Sequence, residues 1–135
     1  MKELRELAEF VESFRLKGVG EEVIKAAKYC VLDTVGQALG AKDNPMIREI
    51  AKVYALCDGE CSGRLVSFWG NEKKVPLRQA VFLNAMMGHT LELDDVHTNS
   101  KTHIGTVVIP AAWSLAEYLG KSGRDLLEAV ICGYE

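Results

Sequence analysis

Residues 88–105 read GHTLELDDVHTNSKTHIG and interrupt a chain that is otherwise ordinary helix-forming sequence. All three histidines of the protein lie in this stretch, together with three carboxylates, four hydroxyl side chains and one lysine. We call it the polar loop. One predicted helix ends in it and an apolar helix resumes after it, so this loop is where chemistry is to be sought.

Apolar residues recur at three- and four-residue steps on both sides of the polar loop, which predicts amphipathic helices. The expected helices begin near Leu4, Glu21, Pro45, Leu77, Thr106 and Ser122. The second is apolar on most sides from Cys30 to Leu39, so it is expected to be central to the core.

Local signals mark several helix ends. Asn44 is a predicted N-cap, with Pro45 at the first helical position. Ser122 and Asp125 have the spacing of a capping box. Pro110 is expected in the first turn of its helix, where a missing N–H is tolerated.

One segment changes period. Residues 64–69 (RLVSFW) form a β-rich run, 70–72 (GNE) a turn, and 73–75 (KKV) a returning strand. The predicted fold class is therefore all-α, a bundle of about six helices with one small β-hairpin. Such a hairpin is weak alone and must pack on the helices or on another chain.

Composition excludes several classes. The chain has 135 residues, 48% of them hydrophobic, and a net charge of −3, which gives no basic footprint for nucleic acid. No apolar run approaches the length of a membrane span, and the N-terminal residues MKELRE do not resemble a signal peptide. We expect no nucleic acid or membrane partner and a cytoplasmic location.

The four cysteines fit that compartment. Cys30 and Cys132 lie in apolar helical segments and are expected to be small buried hydrophobes. Cys57 and Cys61 form a C-x3-C pair, but no second ligand pair follows at zinc-site spacing, so a structural role is favoured.

His103 is the leading candidate for acid/base chemistry, because imidazole transfers protons near neutral pH and a helix N-terminus follows it. Free N–H groups at that helix end could also receive a substrate carboxylate. Asp94 and Asp95 are adjacent, so in an extended loop one faces the cleft while the other caps a turn or anchors the loop.

The other polar residues have plainer interpretations. His89 suits the negative end of a helix dipole, His97 is expected to be exposed, and Thr102 or Thr106 is a possible N-cap. Histidines and aspartates of the loop are also conceivable metal ligands, but their spacing matches no known motif, so no metal is assigned.

Several segments together resemble the MmgE/PrpD family. They are residues 82–85 (FLNA), 91–97 (LELDDVH), 102–105 (THIG), 108–112 (VIPAA), 122–127 (SGRDLL) and 133–135 (GYE). The opening helices are similar too, at residues 7–11 (LAEFV) and 32–36 (LDTVG). The family includes 2-methylcitrate dehydratase, cis-aconitate decarboxylase and iminodisuccinate epimerase.

The resemblance implies a large helical domain and a smaller α/β domain with the active site between them, typically in a dimer. Residues 1–135 would be the N-terminal part of the helical domain, with the C-terminal α/β domain absent. Substrates would be small di- and tricarboxylates, with no cofactor.

By the same resemblance, the catalytic positions fall on His103, Asp95 and Glu92, with Asp95 or Glu92 orienting His103. Asp94, Lys101, Thr102 and Gly105 become substrate-binding candidates. Dehydratase- and decarboxylase-like members have Asp, Thr and His-Pro where this chain has Glu92, Val96 and His103-Ile104. The sequence of residues 92–97 (ELDDVH) is more similar to the epimerase-like branch of the family.

A loop with three carboxylates and one lysine is electrostatically unfavourable for binding a polyanion. Positive groups, including the family's catalytic lysine, are therefore expected from another part of the enzyme, a partner chain or a dimer mate. The leading hypothesis is an active-site half of a cofactor-independent lyase or isomerase. The alternatives are an inactive helical module for dimerisation or partner binding and, more weakly, a His/Asp metal-dependent hydrolase.

Overall fold

The computed structural model describes residues 2–57 and 63–135. Within these ranges the elements are, in order, α1 (Lys2–Ser13), α2 (Glu21–Ala41), α3 (Pro45–Cys57), β1 (Leu65–Ser67), β2 (Lys74–Pro76), α4 (Leu77–His89), α5 (Ile104–Leu119) and α6 (Gly123–Tyr134). The predicted helical bundle with one small hairpin is confirmed. The prediction for the C-x3-C pair falls on Cys61 and the side chain of Cys57, which lie outside the described residues.

Four helices, α2, α4, α5 and α6, pack against one another and form the core. Its fully buried side chains include Leu83 and Met87 of α4, Ile109 of α5 and Val130 of α6. Helix α2 contributes Ala38 and other small or polar residues to this core, in agreement with its predicted central position. Its large apolar residues Tyr29, Leu32 and Leu39 are instead exposed, because only one face of the helix meets α4, α5 and α6.

The hairpin is fastened to the helices by side chains rather than by further strands. Strands β1 and β2 are antiparallel, with Val66 opposite Val75. The buried Asn84 of α4 accepts a hydrogen bond from the Trp69 N–H at 3.0 Å and donates to the Ser67 carbonyl at 3.1 Å. The hairpin therefore packs on the helices of its own chain, one of the two predicted options.

Glu117 of α5 makes a second fastening. Its carboxylate accepts hydrogen bonds from the Ser67 N–H at 3.0 Å, the Ser67 hydroxyl at 3.0 Å and the Lys74 ammonium at 2.7 Å. Burial opposes ionisation of this group, but the hydrogen bonds from Lys74 and Ser67 outweigh it and lower the pKa of Glu117. The ionised carboxylate is thus part of the folded state.

The predicted caps are confirmed. The Met46 N–H donates to Asn44 Oδ1 at 2.9 Å at the start of α3. Ser122 and Asp125 form the reciprocal capping box that opens α6. Both caps depend only on neighbouring residues, which is why the sequence reveals them.

The start of α5 was predicted too late. The helix begins at Ile104, not near Thr106, so Pro110 lies inside it and not in its first turn. The physical reason is a distant carboxylate. Asp95 accepts the Gly105 N–H at 2.9 Å, so the free N–H of the first turn is satisfied without a local cap.

No described helix combines the length and apolar character that a bilayer crossing requires.

Cys30 and Cys132 are free thiols. Both were expected to be buried, and both are only partly buried.

Candidate functional site

The polar loop connects the C-terminus of α4 to the N-terminus of α5 and folds back on itself. His97 and Thr102 form an isolated antiparallel bridge, with the His97 N–H donating to the Thr102 carbonyl at 2.9 Å. Because helices α4 and α5 pack side by side, the loop must return its end close to its beginning. His89, the last residue of α4, therefore lies near His103, the residue before α5.

Asp94 binds both of these histidines. Nδ1 of His89 lies 3.0 Å from each carboxylate oxygen, and Nδ1 of His103 lies 2.8 Å from Oδ2. The Asp94 side chain is 0% exposed, whereas the His89 and His103 side chains are 48% and 37% exposed. We call these three residues the imidazole–carboxylate cluster.

This geometry determines what the two rings can do. An ionised carboxylate only accepts hydrogen bonds, so each ring facing one donates its Nδ1–H, and a neutral ring in that tautomer carries no proton on Nε2. In each ring, Nε2 is the nitrogen that does not contact Asp94. The cluster thus consists of two partly exposed imidazoles held by a buried carboxylate.

Asp95 points the other way and anchors the loop. Its Oδ1 accepts the Gly105 N–H at 2.9 Å, at the positive end of α5, and its Oδ2 accepts the Tyr134 hydroxyl at 3.0 Å. Burial raises the pKa of the Tyr134 phenol, and the adjacent Asp95 carboxylate raises it further, so Tyr134 stays a donor. The adjacent aspartates have different partners: Asp94 contacts the two histidines, and Asp95 anchors the loop, the role expected for one of the pair.

Gly105 is required by this anchor. A Cβ at this position would lie 2.5 Å from Asp95 Oδ1, 2.8 Å from Thr34 Oγ1 and 2.9 Å from the Tyr134 hydroxyl. All three distances are shorter than a carbon–oxygen contact allows. Gly105 therefore lets helices α2, α5 and α6 and the loop meet at one point.

The remaining candidates are dispersed. Glu92 is exposed and adopts a left-handed backbone with φ 50°, and Lys101 is exposed with φ 57°. Thr102 is exposed and its hydroxyl contacts the Ser100 carbonyl at 3.4 Å. These residues line the outer part of the loop, away from the buried oxygens of Asp94.

The cluster also has the donor set of a metal centre. One nitrogen of each ring and one carboxylate oxygen lie within 4.8 Å of one another. Two imidazoles and a carboxylate suit Zn²⁺ and similar ions, so these are the residues of the described chain that could hold one. The observed separations of 2.8–3.0 Å are those of direct hydrogen bonds between the three side chains.

The sequence profile of the MmgE/PrpD N-terminal domain matches residues 5–135. The chain belongs to the MmgE/PrpD family. This confirms both the predicted family and the assignment of the helical fold to its N-terminal domain.

Two curated relatives illustrate the family. The cis-aconitate decarboxylase-like protein oryM of Aspergillus oryzae is 29% identical over 137 residues, which cover 96% of this chain and 28% of that protein. The cis-aconitate decarboxylase of Aspergillus terreus is 24% identical over 135 residues, which cover 96% of this chain and 27% of that protein. The chain therefore spans less than a third of the length of these MmgE/PrpD relatives.

Within this MmgE/PrpD domain, the expectation that Asp95 or Glu92 orients His103 differs from the observed contact, which is made by Asp94. Asp94 was assigned to substrate binding, but its oxygens are occupied by the two imidazoles. The Gly105 N–H, also assigned to substrate, is bound by Asp95. The predicted roles themselves remain predictions, the catalytic ones of His103, Asp95 and Glu92 and the substrate-binding ones of Asp94, Lys101, Thr102 and Gly105.

The sequence interpretation missed His89. It was assigned to the dipole of its helix, which its position at the end of α4 permits. Its contact with Asp94 forms because the loop folds back over five residues. Hydrophobic periodicity in the sequence does not predict such a fold. The one available signal was the concentration of all three histidines in a single loop.

Proposed function

We propose that this chain supplies the acid/base part of the active site of a cofactor-independent lyase or isomerase. Such an enzyme would remove a proton next to a carboxylate of a small di- or tricarboxylate. The observation that supports this most is the 2.8 Å contact between Asp94 and His103, which leaves Nε2 of a partly exposed ring free to accept a proton.

The chemistry would begin at His103. Nε2 takes a proton from the carbon beside a substrate carboxylate, and the electron pair of that C–H bond moves toward the carboxylate. Asp94 stabilises the imidazolium that forms, because its carboxylate accepts the Nδ1–H. Loss of hydroxide from the neighbouring carbon then gives dehydration, and delivery of a proton to the opposite face by a second donor gives epimerisation.

In a decarboxylation, His103 would act as an acid instead of a base. Loss of carbon dioxide leaves an electron pair on carbon, and a protonated His103 donates its Nε2 proton there. This variant is the one suggested by the names of the relatives, which are cis-aconitate decarboxylases. All three reactions share one step, transfer of a proton between Nε2 and a carbon next to a carboxylate.

Substrate charge implies further groups. A substrate with two or three carboxylates needs cationic partners, and the polar loop provides only the exposed Lys101. We infer that the remaining cations, including the family's catalytic lysine, come from another part of the enzyme, a partner chain or the mate of a homodimer.

Solvent deuterium exchange tests this proposal, because proton transfer to carbon is common to all three reactions. The protein is incubated in D2O with a panel of small polycarboxylates, alone and together with a separately produced C-terminal part of the family, and exchange is followed by proton NMR. We expect exchange in the complete enzyme that His103→Ala abolishes.

His97→Ala is the matched control. His97 lies in the same loop, is exposed and contacts Ser100 rather than Asp94. It should retain exchange and turnover. Near-normal turnover in His103→Ala would remove His103 from the mechanism and refute the proposal.

An alternative function, an inactive helical module for dimerisation or partner binding, is favoured by α1. None of the residues of this helix is buried, and Leu4, Leu7 and Val11 are 70%, 58% and 55% exposed on one face. An apolar stripe of this kind is typical of a helix that packs against another surface. Light scattering across a range of concentrations tests it: association that Leu7→Glu abolishes favours the module, and a monomer at all concentrations counts against it.

A further inference from the structure

We propose that His89 is a second acid/base residue beside His103 and that Asp94 positions both rings as Nδ1–H tautomers. This inference rests on the proposed function for its catalytic part, whereas its structural part stands on the hydrogen bonds alone. It assigns a chemical role to a residue that the sequence connects only with the end of a helix.

The first support is the equivalence of the two rings. His89 and His103 each direct Nδ1 at the same carboxylate, at 3.0 and 2.8 Å, and each is partly exposed while Asp94 is not. A residue that merely complements a helix dipole has no need of a buried carboxylate. A carboxylate on the far nitrogen is the usual device that fixes the tautomer of a working histidine.

The second support is the spacing. The ring centroids are 4.7 Å apart with an interplanar angle of 66°, so both rings border the same small region of surface. A substrate that reaches one ring is therefore also close to the other. The two carbons of one C–C bond in the substrate can then each lie near a ring that accepts or donates a proton.

Two such groups complete the proton balance of the dehydration proposed above. In a dehydration, Nε2 of one ring takes the proton from carbon, while the other ring, already protonated from solvent, gives its Nε2 proton to the departing hydroxyl. Water leaves, a carbon–carbon double bond forms, and one proton has moved onto the cluster for each one that left it. In an epimerisation, one ring removes the proton, and the proton returned to the opposite face comes from a group on the other side of the substrate.

Asp94 suits this exchange because it serves both rings. An imidazolium formed on either ring lies within hydrogen-bond distance of the same carboxylate, so the positive charge is balanced wherever it forms. Its complete burial prevents substrate from competing for these oxygens. Asp94 is therefore a positioning residue and not a catalytic one.

The structural part is tested by NMR on the chain itself. Long-range proton–nitrogen correlation spectra of ¹⁵N-labelled protein report which ring nitrogen carries hydrogen. We expect His89 and His103 as Nδ1–H tautomers with bare Nε2. His97 is an internal contrast, because the Ser100 N–H points at its Nδ1 at 3.3 Å, which makes that nitrogen an acceptor and predicts the Nε2–H tautomer.

Asp94→Asn provides the perturbation. It replaces one accepting oxygen by an N–H donor, so at least one of the two rings should change to the Nε2–H tautomer while His97 is unaffected. Nε2–H tautomers of His89 and His103 in the unaltered protein would overturn the inference, whatever the protein catalyses.

The catalytic part is tested with His89→Asn in the complete enzyme. Asparagine retains an N–H donor near the position of Nδ1, so it keeps a contact with Asp94 but removes Nε2. We expect exchange at the substrate carbon to continue, through His103, while net turnover falls by about 100-fold or more. If His89 had only a structural role, the substitution would lower exchange and turnover together or leave both unchanged.

The outcomes separate the two ideas. Equal turnover in His89→Asn and the unaltered enzyme overturns the role of His89 and leaves the role of His103 standing. Full turnover in both His89→Asn and His103→Ala overturns the proposed function itself. A thermal melting curve of each variant establishes that the fold is retained before activities are compared.

Discussion

Substitution of Gly105 by alanine should destabilise this domain strongly, although alanine is the better helix former. Gly105 is the second residue of α5, and its N–H donates to Asp95. An added Cβ would lie less than 3.0 Å from Asp95 Oδ1, Thr34 Oγ1 and the Tyr134 hydroxyl. At least one of these oxygens must move, and each belongs to a different structural element.

The magnitude follows from opposing terms. Inserting a methyl group into a filled space costs about 1–3 kcal/mol, and losing a hydrogen bond to the charged Asp95 costs about 1.5–3 kcal/mol. Asp95 is only half-buried, so the lower ends of these ranges apply. The higher helix propensity of alanine offsets at most about 1 kcal/mol. We expect a net loss of about 2 kcal/mol in the free energy of unfolding.

Urea denaturation followed by circular dichroism measures this loss. With an m value of about 2 kcal/mol/M, the midpoint should fall by about 1 M. Gly123→Ala is the matched control, because Gly123 opens α6 and a Cβ there meets nothing within 4 Å. Its midpoint should stay constant or rise. Equal midpoints for the two variants would refute the packing argument around Gly105.

The remaining predictions concern the anchor, the hairpin and the cluster. Tyr134→Phe removes the hydroxyl that donates to Asp95 and should cost about 1.5 kcal/mol in a urea titration, whereas Tyr29→Phe, at an exposed residue, should cost nothing measurable. The pKa of Glu117 is lowered in the folded state, so its contribution is present above the ordinary glutamate pKa and is lost as the pH falls through the folded value. Glu117→Gln should therefore reduce stability at neutral pH and flatten its decline on acidification, and an unchanged pH profile of thermal melting would contradict this. For the imidazole–carboxylate cluster, we expect elemental analysis to find no stoichiometric metal and a chelator to leave the histidine tautomers unchanged; one bound ion per chain would favour the metal-dependent hydrolase instead.

Local features of the fold could be predicted from the sequence because their causes are local. The capping box of Ser122 and Asp125 and the cap at Asn44 involve residues two or three positions apart. The hairpin has a change of period and a glycine turn, and Gly70 indeed has a positive φ of 72°. The boundary before α5 failed for the opposite reason, since it depends on Asp95, ten residues away.

The candidate site could be predicted only in part. The alternation of adjacent side chains correctly indicated that Asp94 and Asp95 point to opposite sides, but nothing local says which of them meets His103. That choice is made by α5 and α6, because the Gly105 N–H and the Tyr134 hydroxyl both donate to the Asp95 carboxylate. Tyr134 follows Asp95 by 39 residues, so the decision belongs to tertiary packing.

The same contacts change the electrostatic interpretation of the loop. Three carboxylates suggested a strongly negative site, but Asp94 is buried under two N–H donors, and Asp95 accepts an N–H and an O–H at the positive end of α5. Glu92 is the carboxylate that the loop exposes to solvent. A polyanionic substrate approaching Nε2 of His103 would therefore meet imidazole edges more than free carboxylates. The cations it still needs must lie opposite the exposed edges of His89 and His103, which is the side from which we expect the rest of the active site to close.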